Sequence, residues 1–339
     1  MSAKIKILMV GGRRAGKTSI LASMIKCAQE VTAATSIAIG VDSGAGDLSF
    51  KQAELESYFM DYEEGESFEP DLSPNNDDKQ YEFSVKVNGR NTGFQLAFTD
   101  IPGEWLVSEP QKVDSLLSES AVVIIAVDSP HLMEKEDKKF GYGRYHKEFN
   151  RVDELTNYFK SGLQGGNSKI AGRLVIFVPI KCEKYFWLTT PSGKETDAVT
   201  RNNQMMKLNE KIKAGYRELF DHFSTPALKN VVSVAIAPVI TIGGAEFYRF
   251  RTESYVGEYC FVMDPAKRAY APRYCEQPLL LVLDFLLKTA ADNKRKQNIF
   301  ARLYGNLTGM AGLADLQSCE AQISKMINSN PYLGFERLQ

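Results

Sequence analysis

A glycine-rich octapeptide between a strand pattern and a helix pattern most constrains how this chain can fold. Residues 11–18 read Gly-Gly-Arg-Arg-Ala-Gly-Lys-Thr, which matches the phosphate-binding loop (P-loop) G-x-x-x-x-G-K-[ST]. An apolar strand pattern at residues 4–10 precedes it, and an apolar helical pattern from Ser19 follows it. Glycines let backbone N–H groups curl around phosphate oxygens, and the helix N-terminus adds positive potential. The pattern predicts a strand, a loop and a helix that together bind the phosphates of a nucleotide.

Each polar group of this loop has an expected part. Lys17 would pair with the terminal phosphates, and the Thr18 hydroxyl would hold Mg²⁺. The other candidate nucleotide-binding residues of the loop and its helix start are Gly11, Gly12, Arg14, Ala15, Gly16 and Ser19. The competing interpretation is a glycine-rich turn that matches the pattern by coincidence.

Composition bounds the class of protein. The chain has 339 residues, of which 44% are hydrophobic and 24% charged, and this is ordinary usage for a globular core. A net charge of −1 predicts no broad attraction to nucleic acid. The five cysteines are scattered, and only three histidines accompany them, so we expect no zinc site.

Location is predicted from the same features. Scattered thiols fit a reducing compartment, and the first strand pattern begins within a few residues of Met1, so we expect no signal peptide. The longest apolar runs, such as residues 121–127, are too short to cross a bilayer. We therefore expect a cytoplasmic protein without an integral membrane segment.

Strand and helix patterns alternate over most of the chain, which predicts an α/β fold with a mostly parallel sheet and helices on both faces. Residues 80–87 alternate polar and apolar, and Asn88-Gly89 turns the chain into residues 93–99, so these two strands should form an antiparallel hairpin. Continuous apolar runs predict buried parallel strands at residues 121–127, 174–180 and 230–237. Helical patterns occupy residues 17–29, 51–62, 146–163, 203–223 and 276–291.

The pattern changes near the C-terminus. Lys294-Arg295-Lys296 opens a segment whose apolar residues have helical spacing diluted by glycines. These helices either pack back on the nucleotide domain or form an arm that docks a partner, and contact with a membrane surface is a third alternative. We divide the chain into a nucleotide domain with long inserts, residues 1–293, and a C-terminal helical appendage, residues 294–339.

Asp100 and Gly103 form a second motif, Asp-x-x-Gly, at the end of the predicted hairpin. In P-loop NTPases an Asp at a strand end holds Mg²⁺ opposite the loop hydroxyl. Glycine at 103 leaves its backbone N–H free to approach a γ-phosphate. Ser73 is the expected further hydroxyl of the Mg²⁺ shell, with Thr32 and Thr35 as rivals. The alternative is a Pro-Gly turn beside an unrelated Asp.

In the order of P-loop, long segment, hairpin and Asp-x-x-Gly, the chain resembles Ras-like P-loop GTPases over about residues 4–290. The resemblance implies a base-binding motif, Asn/Thr-Lys-x-Asp, after the strand at 174–180, and here it reads Ile180-Lys181-Cys182-Glu183. Lys181 matches the lysine that lies along the base. Glu183 stands where the family has the Asp that accepts hydrogen bonds from guanine, whereas Ile180 departs from Asn. The ligands implied are GTP or GDP and Mg²⁺.

A narrower resemblance involves the long inserts, the Asp-Ile-Pro-Gly-Glu motif and the segment Ala-Pro-Val-Ile-Thr-Ile-Gly-Gly at residues 237–244. These features look like divergent bacterial GTPases of the double-GTPase type. That group is thought to belong to regulated conflict or defence systems. The resemblance implies a GTP-controlled molecular switch that works with a protein effector or regulator.

Glu104 and Arg13 are candidate catalytic residues beside Lys17 and Gly103. Glu104 occupies the position of the Gln that orients water in Ras-like enzymes, but a carboxylate near phosphate oxygens is electrostatically costly, so it either acts as a general base or points away. Arg13 is a candidate for positive charge in cis, in place of an arginine finger. Its alternative is a side chain that faces solvent or pairs with the acidic segment at residues 61–78.

Two polar segments flank the hairpin, at about residues 63–79 and 101–112. We expect GTP to order them into a surface that binds a partner.

Two other classes of function stay open at this point. One is an ATP-dependent small-molecule kinase, which needs an arginine-rich lid for its acceptor. The other is a nucleotide-binding scaffold with little hydrolysis, which the degenerate base motif and Glu104 allow.

Overall fold

The computed structural model describes residues 3–58, 77–87, 93–134, 142–164, 172–186, 197–250, 259–263, 269–296 and 313–329. Within them, seven strands form one sheet in the order β2-β3-β4-β1-β5-β6-β7. Their bounds are β1 (Ala3–Val10), β2 (Ile37–Ser43), β3 (Lys79–Val87), β4 (Gly93–Asp100), β5 (Val122–Asp128), β6 (Arg173–Ile180) and β7 (Val232–Ile236). A separate antiparallel pair contains β8 (Ala245–Phe250) and β9 (Tyr259–Met263).

The described helices fill the connections between strands. They are α1 (Lys17–Ala34), α2 (Ala45–Ser57), α3 (Trp105–Ser108), α4 (Pro110–Glu119), α5 (Ser129–Met133), α6 (Tyr142–Phe149), α7 (Val152–Gln164), α8 (Glu183–Phe186), α9 (Ala198–Gly215), α10 (Arg217–Phe223), α11 (Gln277–Lys296) and α12 (Leu313–Ser329). None of these described helices is long and apolar enough to cross a bilayer.

The sheet is mostly parallel, as predicted. β1 pairs in parallel with β4 and β5, and β6 pairs in parallel with β5 and β7. β3 is antiparallel to both β2 and β4, so among the described strands of this sheet it is the one that runs in the opposite direction. The α/β fold class with one antiparallel hairpin strand is therefore confirmed.

Helices cover both faces of the sheet, which explains why β5 and β6 are buried along their whole length. Side chains alternate along each strand: Ile7 and Met9 of β1 pack with α1 and α11, whereas Leu8 and Val10 pack in the opposite cluster with α4 and α7. The carboxyl ends of the parallel strands consequently meet at one edge, where the loops that carry the predicted motifs lie together.

Several local features differ from the predictions. The helix expected at residues 203–223 is divided into α9 and α10 at Tyr216, and the β8–β9 pair was not predicted. The sequence pattern did not indicate β2, and the helix expected at residues 51–62 spans Ala45–Ser57 within the described residues. The helix expected at residues 146–163 is broken into α6 and α7 at Asn150 and Arg151, where Arg151 has a φ of 51°. β2 was not predicted because the strand is short and because Ala38 and Gly40 interrupt its larger apolar residues.

The proposed rivals for the Mg²⁺ hydroxyl have other partners. Thr32 Oγ1 accepts a hydrogen bond from Ile39 N, and Thr35 Oγ1 accepts one from Ile37 N, each at 3.2 Å. Both threonines therefore satisfy backbone donors on the outer edge of β2. They lie at the C-terminal end of α1, whereas Thr18 lies at its N-terminal end, so the structure does not place them beside the predicted metal ligand Thr18.

The C-terminal helix α12 packs on α11. Its Cys319, Ile323 and Ile327 are buried in the same cluster as α1 and α11. Ser324 Oγ donates a hydrogen bond to Asp284 Oδ1 of α11 at 2.9 Å. The division of the chain at residue 293 stays a prediction, because it rests on the change of sequence character alone.

Candidate nucleotide site

The P-loop connects β1 to α1 through backbone conformations that favour glycine. Gly11 and Gly16 have φ angles of 146° and 94°, and Arg14 between them has a φ of 57°. A Cβ on Gly16 would lie 2.3 Å from Ile180 Cδ1, so the second glycine of the motif also serves close packing. Ile180 thus contacts the loop through an apolar side chain at the position where the Ras-like family has an Asn.

Lys17 folds back over the loop that precedes it. Its Nζ donates hydrogen bonds to the carbonyl oxygens of Gly11 and Gly12, both at 3.3 Å. Burial lowers the pKa of Lys17, and the nearby carboxylates of Asp100 and Glu104 oppose this effect. The ammonium group therefore lies inside the loop, where it can meet phosphate oxygens.

Thr18 and Asp100 meet because β1 and β4 are neighbours in the sheet. Thr18 Oγ1 donates a hydrogen bond to Asp100 Oδ2 at 2.7 Å, and Asp100 is almost fully buried. A hydroxyl and one carboxylate are oxygen ligands of the kind Mg²⁺ takes when substrate phosphates supply others. The donor set therefore fits the predicted metal. Ser73, the third predicted metal ligand, lies outside the described residues.

The Asp-x-x-Gly turn packs directly on the P-loop. A Cβ on Gly103 would lie 2.3 Å from Arg13 N and 2.4 Å from the Gly12 carbonyl carbon, so no larger residue fits without movement. The next residue, Glu104, pairs with Arg13, whose Nε lies 3.1 Å from Glu104 Oε1. Both side chains are well exposed, at 47% for Glu104 and 62% for Arg13. The two candidate catalytic residues are therefore partners.

Lys181 joins the loop after β6 to the P-loop. It has a φ of 54°, and its Nζ donates hydrogen bonds to the Arg14 carbonyl oxygen at 2.8 Å and to Asp128 Oδ2 at 2.7 Å. The same Nζ lies 3.5 Å from the ring centroid of Tyr259. The ammonium group of Lys181, the lysine predicted to lie along the base, is thereby held against the P-loop.

Glu183 begins α8 and is buried beside the segment that follows β7. Cys182 Sγ contacts the Val239 carbonyl oxygen at 3.2 Å, which anchors this loop to that segment. Burial raises the pKa of the Cys182 thiol, and the Glu183 charge adds to the effect. The loop after β6, which contains the predicted base-binding residues, is therefore packed against the segment after β7.

Asp128 is a site residue that our sequence analysis missed. It ends β5, is 2% exposed, and accepts hydrogen bonds from Lys181 Nζ, Tyr259 OH and both the backbone N and Nδ1 of His131. Burial alone would raise its pKa, but the charges and hydrogen bonds of Lys181 and His131 lower it well below its usual range. An acidic residue at the carboxyl end of a buried parallel strand is the signal that could have indicated it.

Asn150 braces the same strand end from the break between α6 and α7. Its Oδ1 accepts a hydrogen bond from Asp128 N at 2.7 Å, and its Nδ2 donates to the Asp128 carbonyl oxygen at 3.2 Å. The preceding Phe149 carbonyl oxygen lies only 1.7 Å from where a Cβ on Gly12 would be. The insert between β5 and β6 therefore packs directly against the P-loop.

A model of the Double-GTPase 2 family matches residues 5–206. This range covers more than half of the chain and contains the P-loop, Asp100 and Lys181. The chain belongs to the Double-GTPase 2 family. The predicted resemblance to Ras-like GTPases, and to the double-GTPase type among them, is confirmed.

Solved structures give weaker likenesses. The Ski7 GTPase-like domain of S. cerevisiae bound to GTP aligns at 14% identity and a TM-score of 0.38, over 71% of this chain and 43% of that one. The same domain bound to GDP and inorganic phosphate aligns at 15% identity and a TM-score of 0.38, over 76% and 47%. This Double-GTPase 2 chain thus spans less than half of the length of those structures. No curated protein matches its sequence.

In this Double-GTPase 2 chain, the tertiary structure brings together nearly all of the predicted site residues. The P-loop contacts Gly103 on one side and Lys181 on the other, and Thr18 contacts Asp100. The residues so assembled are Gly11, Gly12, Arg13, Arg14, Ala15, Gly16, Lys17, Thr18 and Ser19 with Asp100, Gly103, Glu104, Lys181 and Glu183. Their roles stay predictions.

Proposed function

We propose that this chain binds GTP and GDP with Mg²⁺ and hydrolyses GTP at the β–γ phosphoanhydride. The observation that carries the proposal is the 2.8 Å hydrogen bond from Lys181 Nζ to the Arg14 carbonyl oxygen. It attaches the base-side loop to the phosphate loop, so a nucleotide whose phosphates fill the P-loop has its base beside Lys181 and Glu183. A site for phosphate alone needs no such link.

Guanine is favoured over adenine by the carboxylate of Glu183. Guanine presents the N1–H and the 2-amino group as neighbouring donors, which one carboxylate can accept together. Adenine presents an N1 acceptor at the corresponding edge, and its lone pair would face the carboxylate. The buried position of Glu183 strengthens this discrimination, because an unmatched polar group is costly away from water.

Phosphate binding and hydrolysis use the opposite side of the site. Lys17 would neutralise the terminal phosphates, and Thr18 and Asp100 would hold Mg²⁺, which lowers the cost of charge on the β- and γ-oxygens. Arg13 would turn from Glu104 to the phosphates and add positive charge during transfer. Glu104, released from Arg13, would then accept a proton from the attacking water.

We further propose that the bound nucleotide controls a partner protein. Gly103 contacts the P-loop, and Lys112 Nζ, on the following helix α4, lies 3.1 Å from Asp78 Oδ1 at the end of the acidic segment. A γ-phosphate that moves Gly103 would therefore act on both segments that flank the hairpin. Of the predicted segment at residues 63–79, residues 63–76 lie outside the described residues. Val107, on α3 beside Glu104, exposes 57% of its surface, which suits an effector contact. A cytoplasmic switch in a bacterial conflict or defence system would fit this behaviour.

The test is direct nucleotide binding. Fluorescent GDP and ADP analogues are titrated into the purified protein with Mg²⁺ and with excess EDTA, and the nucleotide that co-purifies is identified by chromatography. We expect tight GDP binding that weakens in EDTA, and little ADP binding. The Lys17→Ala variant is the control, in which both phosphate affinity and single-turnover GTP hydrolysis should be lost.

Each result separates the alternatives. Tight ADP and weak GDP binding would overturn the guanine assignment and favour a kinase. Tight GTP binding without measurable single-turnover hydrolysis would reject the enzymatic part and leave a nucleotide-binding scaffold. The hydrolysis assay is run with and without bacterial lysate proteins, because a regulator can accelerate a slow intrinsic rate.

A further inference from the structure

We propose that Tyr259, on the β8–β9 hairpin, is a positioning residue that holds Lys181 in place for nucleoside binding. Tyr259 lies beyond residues 5–206, the range that the family model matches. The inference rests on the proposed function and extends it to a part of the chain that none of the predicted motifs includes.

The Lys181 ammonium group lies between a P-loop carbonyl oxygen, a carboxylate and an aromatic ring. The Arg14 carbonyl oxygen, Asp128 Oδ2 and the face of the Tyr259 ring at 3.5 Å all lie around Nζ. A cation over an aromatic face is attracted by the ring as well as confined by it. The direction of the lysine stem, along which a base would lie, is therefore determined by these three groups.

Tyr259 also reaches the counter-ion of the lysine. Its OH donates a hydrogen bond to Asp128 Oδ2 at 2.7 Å, the same oxygen that accepts from Lys181 Nζ. One side chain thus contacts both members of an ion pair between a partly buried lysine and a buried carboxylate, with its ring on the cation and its hydroxyl on the anion. Displacement of Tyr259 would remove both contacts at once.

Packing within the β8–β9 hairpin holds the Tyr259 side chain in its position beside Lys181. Tyr259 is buried in a cluster with Phe247 and Phe261 of the same hairpin, and the ring of Phe247 lies 6.2 Å from each. Lys184 of α8 lies 5.2 Å from the Phe247 ring, so the hairpin also packs on the helix that starts at Glu183. The hairpin therefore contacts the base-side loop at two points.

The location of these contacts predicts which part of the nucleotide is affected. Tyr259 contacts Lys181 and Asp128, whereas Lys17 and Thr18, the predicted phosphate-binding and Mg²⁺-binding residues, make their contacts with the P-loop and Asp100. A loss of Tyr259 should therefore weaken binding of the nucleoside moiety and spare binding of the phosphates. Replacement of a residue that only supports the fold would weaken both nucleoside binding and phosphate binding.

The experiment compares Tyr259→Phe and Tyr259→Leu with the wild-type chain. The matched control is Tyr270→Phe, which also removes a buried hydroxyl, one that lies 2.9 Å from Ser23 Oγ. GDP and inorganic pyrophosphate are each titrated with Mg²⁺ by calorimetry. We expect Tyr259→Phe to weaken GDP binding about fivefold, because it loses the hydrogen bond to the charged Asp128. Tyr259→Leu should weaken it at least about tenfold, because the contact of the ring with Lys181 is lost as well. Pyrophosphate binding should stay within about twofold of the wild type in all three variants.

A second measurement needs no nucleotide. Lysines are acetylated with limiting acetic anhydride and the labelled sites are quantified by mass spectrometry, with the exposed Lys229 as internal reference. Lys181 should be protected in the wild type and in Tyr270→Phe, and should label several-fold faster in Tyr259→Leu.

The outcomes are distinguishable. Equal GDP affinity in both Tyr259 variants and the wild type, or an equal loss of GDP and pyrophosphate affinity, would overturn the inference. Unchanged Lys181 labelling in Tyr259→Leu would overturn it as well. If the wild type binds no GDP while Lys181 labelling responds to Tyr259→Leu, the proposed function fails and the positioning of Lys181 by Tyr259 stands.

Discussion

Arg13 Nε lies 3.1 Å from Glu104 Oε1, so the P-loop arginine is paired with the residue that follows the Asp-x-x-Gly motif. Exposed ion pairs of this kind are weak, because water and salt screen them. Phosphate oxygens can therefore compete for the guanidinium group. The pair is the contact that nucleotide binding would most easily exchange.

The first prediction concerns the arginine. Arg13→Ala should lower the single-turnover rate of GTP hydrolysis by about tenfold or more, because positive charge on the transferring phosphoryl group is lost. GDP affinity should change by less than about threefold, since Lys17 keeps its contacts. Arg217→Ala, which removes an exposed arginine on α10, is the control. An unchanged rate in Arg13→Ala would show that Arg13 only pairs with Glu104.

The second prediction concerns the carboxylate. Glu104→Ala should lower the hydrolysis rate by about a factor of ten to a hundred with unchanged GTP affinity, because the attacking water loses its proton acceptor. Glu109→Ala, an exposed carboxylate five residues on, should retain the wild-type rate. If Glu104→Ala instead binds GTP more tightly and hydrolyses it normally, the carboxylate repels phosphate and has no part in the chemistry.

The third prediction tests the base-reading residue. Glu183→Gln replaces one of two acceptor oxygens by an amide donor, which clashes with the 2-amino group of guanine but matches the O2 acceptor of xanthine. GDP affinity should fall by about tenfold to a hundredfold, as expected for lost hydrogen bonds to a charged group, and xanthosine diphosphate affinity should rise. Competition titration measures both. A parallel loss for the two nucleotides would mean that Glu183 supports the loop without contacting the base.

The fourth prediction compares two glycines. Gly12→Ala should destabilise the fold by about 1–3 kcal/mol, because the new Cβ would overlap the Phe149 carbonyl oxygen at 1.7 Å and force the backbone to move. Gly46→Ala, on α2, meets no described atom within 4 Å and should stabilise by about 0.5–1 kcal/mol. Urea denaturation measures both. Equal stability of the two variants would contradict the close contact between the insert and the P-loop.

The fifth prediction concerns pH. Burial lowers the pKa of His146 from 6.5 to about 4, so the folded chain binds this proton more weakly than the unfolded chain. The stabilisation is complete above pH 6.5 and is lost as the pH falls towards 4, by roughly 3 kcal/mol in all. The lowered pKa of Asp128 acts at lower pH, below its ordinary value of 3.8.

Urea midpoints at several pH values between 7 and 4.5 test this expectation. The midpoint of the wild type should fall with pH, and His146→Gln should have a flatter profile. His222→Gln is the control, because His222 is less buried and its pKa is lowered less. Parallel profiles for the wild type and His146→Gln would reject the assignment to His146.

The sequence predicted most of the sheet, because its signals are local. The strand before the P-loop, the hairpin around Asn88-Gly89 and the buried strands at 121–127 and 174–180 each have a periodicity or a turn that a short window contains. β2 and the β8–β9 hairpin escaped notice. Their runs are short, and a register shift interrupts the pairing of β2 with β3 and that of β8 with β9.

The candidate site likewise contains residues that the sequence predicts and residues that it does not. The P-loop, Asp100, Lys181 and Glu183 were recognisable because each sits in a motif with a characteristic spacing after a strand. Asp128 and Tyr259 belong to no motif, and they are 131 residues apart. Their hydrogen bond exists only because the parallel strands place their carboxyl ends at one edge and the hairpin folds over it.

The sequence by itself determined that this chain forms a P-loop between a strand and a helix, since glycine conformations and apolar spacing act within a few residues. Only the tertiary structure decided which side chains meet: Arg13 with Glu104, and Lys181 with Asp128 and Tyr259. Such pairs depend on backbone paths separated by tens of residues. Burial makes Asp128 depend on such partners, because a carboxylate removed from water needs a partner of opposite charge or a hydrogen-bond donor.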